Sequence, residues 1–215
     1  MRRPRCHGLM IASLIASLSG ARAATITATV TDEAGKPLPD AAVMIAPAPG
    51  TPSRRLAVSP ISAATIDQKD EAFVPSVVVI RVGGSVVFRN SEKIRHHVYS
   101  FSSIRQFEMV QIPGEASPPV IFDRPGWAAI GCNIHDHMTA YVHVTEAPWA
   151  KVTDAAGQAV LTDIPAGHFV ATVWHPRLRP KTTPPTESVV VASENSTLSI
   201  MLSVLPPRRQ RGRDY

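Results

Sequence analysis

The feature that most restricts the fold of this chain is the dense spacing of its prolines, twenty in 215 residues. Proline interrupts helices because it lacks the backbone N–H and its ring clashes with the preceding turn. Between the prolines lie short segments that are apolar or alternate between apolar and polar residues, at 25–31, 77–82, 120–122, 128–132 and 140–144. Short strands interrupted by frequent turns indicate a sandwich or barrel. The sequence therefore predicts an all-β protein.

The N-terminal segment has the pattern of a secretory signal peptide. Residues 1–23 combine arginines at the start, an apolar run at 9–18 and a small-x-small cleavage site at the end. The apolar run is too short for a membrane-spanning helix, which needs about 20 residues. We therefore expect a mature chain that begins near Ala24, has no membrane span and is exported, most simply to a bacterial periplasm.

The positive charge of the chain belongs to its two ends. The full sequence has 22 Lys and Arg against 17 Asp and Glu, a net charge of +5. Without residues 1–23 the net charge is +1, and without the arginine-rich segment 206–215 as well it is −2. We expect 206–215 to be a disordered basic tail. Since the body of the protein has no excess of basic residues, a nucleic-acid partner is not expected.

A group of metal-ligating residues lies between positions 132 and 138. Cys132, His135 and Met138 share one short segment between two predicted strands, and His96 lies upstream. Cys132 is the only cysteine of the expected mature chain, so it cannot form an intramolecular disulfide. It is then either an inert buried thiol or a ligand. Two His, one Cys and a weak axial Met are the ligands of a blue-copper electron-transfer site.

The segments around these residues resemble the cupredoxins, with a ligand loop of the amicyanin length. More widely, they are similar to the plastocyanin-like proteins of methylamine-utilisation clusters. The matching segments are GGSVVFRN at 83–90, HHVYSFS at 96–102, PPVIFDRPG at 118–126 and GCNIHDHM at 131–138. The resemblance implies a cupredoxin-type Greek-key β-sandwich over residues 61–146.

The same resemblance implies the site and the activity. It implies one type 1 copper ion held by His96, Cys132, His135 and Met138, and an Asn90 that ties the two ligand loops together. It also implies a protein that carries single electrons and is not an enzyme, and the family label points to amine or one-carbon oxidation. Its expected partners are redox proteins such as a c-type cytochrome or a dehydrogenase.

Two histidines are rival ligands in this interpretation. His97 stands where cupredoxins usually carry Asn, so it competes with His96. His137 replaces one of the more usual apolar residues after the loop histidine, and it competes with Met138 as the fourth donor. A third histidine, His143, alternates with two valines and is predicted to face solvent on a strand.

A second resemblance concerns the residues on either side of the cupredoxin-like block. Segments 30–38, 153–157 and 164–167 resemble successive parts of a carboxypeptidase-regulatory-like sandwich, a small Ig-like β fold. The resemblance implies that residues 24–60 and 147–205 form one discontinuous sandwich, with the cupredoxin block inserted into it or packed beside it. A contiguous two-domain chain is the alternative.

Other functions remain open at this point. A periplasmic copper chaperone or copper-storage protein would use much the same donors with an exchangeable Cu(I) site. A zinc hydrolase would need an open coordination position and a placed general base, and the sequence offers no convincing base. A multicopper oxidase would need further His-x-His pairs, of which only His135 and His137 form one. A metal-free binding or scaffold protein would make no use of Cys132.

Overall fold

The computed structural model describes residues 23–51, 63–192 and 194–207. Residues 1–22 of the predicted signal peptide and residues 208–215 of the predicted tail lie outside these ranges. No helix of the described part is long and apolar enough to cross a membrane. The regular structure of the described ranges consists of sixteen strands: β1 (Ala24–Asp32), β2 (Ala42–Pro47), β3 (Ala63–Lys69), β4 (Ala72–Val74), β5 (Val77–Arg81), β6 (Gly84–Asn90), β7 (His96–Ser102), β8 (Arg105–Gln111), β9 (Val120–Phe122), β10 (Gly126–Cys132), β11 (Thr139–Thr145), β12 (Trp149–Val152), β13 (Gln158–Ile164), β14 (Gly167–Trp174), β15 (Thr186–Val191) and β16 (Ser196–Leu202).

Strands from the two ends of the chain share two sheets, which form the outer sandwich. One sheet has the order β13-β1-β16 and the other the order β12-β2-β14-β15. In β1, buried residues alternate with half-buried ones, because successive side chains of a strand point to opposite faces of the sheet. The buried side chains form one apolar core that includes Ile26, Ile45, Trp149 and Phe169.

The strands between β2 and β12 form the middle sandwich. Its two sheets have the orders β5-β11-β10-β7-β8 and β4-β3-β6-β9. β5 and β11 are parallel, as are β3 and β6, and parallel neighbours cannot be joined by a tight hairpin, so the chain crosses between the sheets. Phe88, Phe122 and Ile130 fill the core, which also contains Cys132 and Met138. The predicted all-β sandwich architecture is confirmed.

The two sandwiches contact each other through an apolar junction. Val77 and Val79 of β5 pack with Ala42, Met44 and Trp174 of the outer sandwich. The first four residues of β5 are all buried, because the middle core covers one face of the strand and the outer sandwich covers the other. A continuous apolar run is typical of a strand that is buried on both faces.

Aromatic rings extend this junction over β10 and β11. The ring of Trp174 lies 5.9 Å from that of Trp127, 5.7 Å from that of Tyr141 and 5.1 Å from that of His143. His143 is only 8% exposed, so the prediction that it faces solvent is wrong. The local alternation placed it on the outer face of β11, but the outer sandwich covers that face. Burial lowers the pKa of His143 to about 4.

Candidate metal centre

Two neighbouring strands bring the predicted ligands to one end of the middle sandwich. His96 is the first residue of β7, and Cys132 is the last residue of β10. These strands are antiparallel neighbours, with Val98 opposite Cys132, so the start of one lies beside the end of the other. His135 follows in the loop between β10 and β11. Residues that are distant in sequence therefore meet at one end of the sheet.

Three donor groups converge at this end. The ligand atoms of His96, Cys132 and His135 all lie within 4.8 Å of one another. Nδ1 of His96 is 3.4 Å from Sγ of Cys132, and the two imidazole rings have centroids 5.3 Å apart. His96 and Cys132 are buried, at 1% and 2% exposure, whereas His135 is half-buried. The three side chains thus form a compact group with one edge near solvent.

An unsatisfied atom shows that these residues fit a metal ion. Nδ1 of His135 is buried and has no hydrogen-bond partner within the described structure, which is unusual for a buried polar nitrogen. This nitrogen lies beside the thiol of Cys132 and the imidazole of His96. This soft and borderline donor set is the one that copper takes in His₂Cys sites. The residues present therefore fit a copper ion.

Met138, the predicted weak fourth donor, is buried at the same end of the sandwich as the three donors. It is 2% exposed and belongs to the same core cluster as Cys132. Its backbone N–H donates to the carbonyl of His135 at 3.0 Å, which closes the ligand loop into a tight turn. The thioether is therefore withdrawn from solvent at the same end of the sandwich.

The two rival histidines both point outward. His97 follows His96 on β7, so strand alternation places it on the opposite face, where its Nε2 lies 3.2 Å from Oε1 of Glu108. The side chain of His137 is 51% exposed, and its Nε2 lies 3.6 Å from Oε2 of Glu71. Among the described residues, neither histidine joins the group formed by His96, Cys132 and His135.

Asn90 is bound differently from the expectation. It is fully buried, and its side-chain nitrogen donates to the carbonyls of Ile94 at 2.8 Å and Gln111 at 3.1 Å. Its Oδ1 accepts from the backbone N–H of Glu92 at 3.0 Å. Asn90 ends β6 in the other sheet, so its side chain reaches the loop before β7 and the end of β8. It organises the first ligand loop but does not tie it to the second.

The tie between the two ligand loops is made by the backbone. The N–H of Asn133, directly after Cys132, donates to the carbonyl of His97 at 2.9 Å. This bond continues the pairing of β7 with β10 by one step beyond the strand. It holds the segments that carry His96 and Cys132 side by side, which is the role that the resemblance had implied for Asn90.

A carboxylate that sequence reasoning missed holds the outer nitrogen of His96. Oε2 of Glu92 lies 2.7 Å from Nε2 of His96. Because a carboxylate only accepts, Nε2 carries the proton and Nδ1 directs its lone pair toward the donor group. Burial raises the pKa of Glu92, but bonds from the Glu71 backbone and His96 outweigh it, and the pKa lies below its usual value. In the sequence, the four-residue spacing of Glu92 and His96 was the signal that could have indicated this contact.

The architecture of the middle sandwich agrees with the predicted cupredoxin-type fold. Its two sheets and the position of the His and Cys donors at one end agree with the fold that the sequence resemblance implies. The finer assignment to methylamine-utilisation proteins and the carboxypeptidase-regulatory-like assignment of the outer sandwich stay predictions.

Comparison with known proteins gives structural matches only. No family model matches the chain, and no curated protein matches it significantly. The Cu-containing nitrite reductase (NirK) from Thermus scotoductus SA-01 is 25% identical over 39% of this chain and 22% of its own, with a TM-score of 0.35. Amicyanin from Paracoccus versutus is 23% identical over 40% of this chain and 85% of its own, with a TM-score of 0.33. A purple cupredoxin from Nitrosopumilus maritimus is 20% identical over 38% of this chain and 99% of its own, with a TM-score of 0.35.

These matches are confined to about two fifths of the chain. The chain spans less than a quarter of the length of the nitrite reductase. With TM-scores this low, the matches establish neither a function nor a ligand, and the metal centre is inferred from its own donor atoms.

Proposed function

We propose that this protein is a periplasmic type 1 copper protein that carries single electrons between redox partners. The observation that supports it is the convergence of His96, Cys132 and His135 within 4.8 Å, with Nδ1 of His135 buried and unpartnered. Met138 would complete the ligand set as a weak axial donor. A bound copper ion supplies reversible one-electron chemistry, and a thiolate with two imidazoles suits both of its oxidation states.

The residues of the chain would keep the site geometry constant during electron transfer. His96 and Cys132 stand on paired strands, and the Asn133 N–H bond to His97 locks their ends together. His135 is half-buried, so its ring would give electrons a short path to the surface. The neighbouring Ile134 is 52% exposed and provides an apolar contact beside that path. The partners we propose are a c-type cytochrome or a dehydrogenase of amine or one-carbon oxidation.

We propose a carrier and not an enzyme because His96, Cys132, His135 and Met138 would together occupy the positions that a substrate would need. A copper chaperone or storage protein would use the same donors, but it would need ligands that a partner can reach and replace. The burial of His96 and Cys132 favours retention of the metal over its exchange.

The visible absorption spectrum of the mature protein loaded with Cu(II) tests this proposal. An intense band at roughly 600 nm is expected from thiolate-to-copper charge transfer, and Cys132→Ser should abolish it. His97→Ala is the matched control, because this histidine adjoins His96 but faces away from the site. A protein that binds Cu(II) without this band, or that binds only zinc, would refute the assignment. Fractionation of cells that express the full chain tests the periplasmic location.

A further inference from the structure

The turn between β3 and β4 has an uncommon backbone conformation. It consists of Asp70 and Glu71, with φ angles of 53° and 52°, between the paired residues Lys69 and Ala72. Two-residue hairpins of this kind favour Asn and Gly, because other residues are strained at positive φ. Strain of this kind persists where the surrounding structure holds it, and it often marks a functional site. The contacts of the turn show what it does.

The turn contacts the first ligand loop through its backbone. The N–H of Glu71 donates to Oε1 of Glu92, while Oε2 of Glu92 lies 2.7 Å from Nε2 of His96. One carboxylate thus bridges the turn and a predicted ligand. Deeper in the same hairpin, Asp67 accepts bonds from the N–H and hydroxyl of Ser91 at 3.2 and 2.7 Å. The hairpin therefore forms hydrogen bonds with both Ser91 and Glu92, the first residues of this loop.

The turn contacts the second ligand loop through a side chain. Oε2 of Glu71 lies 3.6 Å from Nε2 of His137, and His137 stands between His135 and Met138. The rings of His135 and His137 have centroids only 5.7 Å apart, so His137 is close enough to compete for a metal. Its Nε2 contacts Glu71 instead, and among the described residues it stays outside the donor group.

We propose that the β3–β4 turn is a third component of the metal centre, which fixes His96 through Glu92 and keeps His137 from replacing Met138. This inference rests on the proposed copper function. Glu92 and Glu71 are positioning residues, since neither carboxylate joins the donor group. The negative charge of Glu92 beside His96 also favours the more positive oxidation state of the metal, and it therefore lowers the reduction potential.

The reduction potential tests the Glu92 contact. Glu92→Gln removes the charge and one of the two bonds, so the ratio of Cu(I) to Cu(II) at a given potential should rise about tenfold, or ~59 mV for one electron. Asp67→Asn is the matched control, because it removes a charge from the same hairpin, keeps an oxygen that can accept from the Ser91 N–H and contacts no residue of the donor group. In this variant the ratio of Cu(I) to Cu(II) should change by no more than about twofold, since more distant charges are screened. Equal shifts in the two variants would overturn the proposal.

The absorption spectrum tests the Glu71 contact. Glu71→Gly keeps the backbone N–H that holds Glu92, suits the positive φ and removes the carboxylate that contacts His137. We expect the band at roughly 600 nm to shift or weaken as His137 gains access to the metal, and His137→Ala in the same chain should restore it. Glu108→Gln, which removes the equivalent contact of His97, should leave it unchanged. An unaltered spectrum in Glu71→Gly would contradict the proposal.

A measurement on the metal-free protein separates the proposed copper function from the proposed role of the β3–β4 turn, which is to clamp His96 through Glu92. Nitrogen-15 NMR of the histidine rings should show His96 with its proton on Nε2 in the wild type and in Asp67→Asn. In Glu92→Gln the two tautomers of His96 should both be populated. If this pattern holds but no copper band forms, the proposed function fails while the clamping role of the turn stands. If His96 has the same tautomer in all three proteins, the clamp is refuted whatever the metal.

Discussion

Acidification is expected to destabilise the metal-free protein through His143. Burial lowers the pKa of this imidazole to about 4, whereas an unfolded chain has a histidine pKa of about 6.5. Between these values the unfolded state binds a proton that the folded state does not, so unfolding becomes easier as the pH falls. The stability is fully present above about pH 6.5 and is lost as the pH falls toward 4.

The expected loss follows from the two pKa values. Between about pH 8 and pH 5, the free energy of unfolding should fall by about 2 kcal/mol from His143 alone, and by about 3 kcal/mol below pH 4. The structural cause is its place in the junction, where Trp174 lies 5.1 Å away and Nδ1 has no partner within the described structure. Protonation would place an unpaired charge between the two sandwiches, which is costly.

Urea unfolding of the wild type and of His143→Gln, in the presence of a chelator, measures this effect. Glutamine is neutral throughout, so the difference in stability between the two proteins should change by about 2 kcal/mol between pH 8 and pH 5. His175, whose pKa is also lowered to about 4 by burial and by the nearby Arg177, titrates in both proteins and cancels. A difference that is constant over this range would refute the reasoning, because it would mean that His143 has an ordinary pKa when folded.

Three further substitutions test packing, each by thermal or urea unfolding. Gly131→Ala would place a Cβ 2.7 Å from the ring of Tyr99 and should cost about 1–3 kcal/mol; Tyr99→Ala in the same chain should remove that cost, and purely additive effects would contradict the contact. Trp174→Ala should cost about 3–5 kcal/mol, and a loss below about 1 kcal/mol would mean that the junction is not packed. Gly157→Ala should cost more than Gly35→Ala, since both have φ near +70° but only Gly157 has a backbone oxygen 2.5 Å from the added Cβ; equal losses would show that φ alone decides.

Strands could be predicted from the sequence where their pattern is local. The segment 120–122 is a strand with the predicted bounds, and the alternating segment 25–31 is extended by one residue at each end. The environment of His143 could not be predicted in the same way. On the outer face of β11, His143 packs against Trp174, which belongs to a different sheet and lies some thirty residues further along the chain. Alternation tells which side chains share a face, but not what covers that face.

In the candidate site, too, local features could be predicted from the sequence and contacts with distant segments could not. Cys132, His135 and Met138 are close in sequence, so their spacing alone indicated a common loop. The four-residue spacing of Glu92 and His96 was a local signal for their contact, but nothing local indicated the bond of Glu92 to the β3–β4 turn, which lies 21 residues earlier. Asn90 was expected to tie the two ligand loops together, but its side-chain partners in the described structure are Glu92 and Ile94 of the first loop and Gln111 at the end of β8. The resemblance located the donors but not the contacts that hold them.

The two-sandwich arrangement restricts how a redox partner would reach the proposed copper site. The apolar junction covers the outer face of β5 and part of that of β11, so a partner cannot dock on that part of the sheet. Among the described residues, the junction cluster includes none from the ligand segment 132–138. His135 is half-buried beside the exposed Ile134, so a proposed redox partner would approach the donor group at this end of the sandwich. The outer sandwich would thus restrict the encounter by blocking part of one face, and among the described residues it contributes none of the donor group.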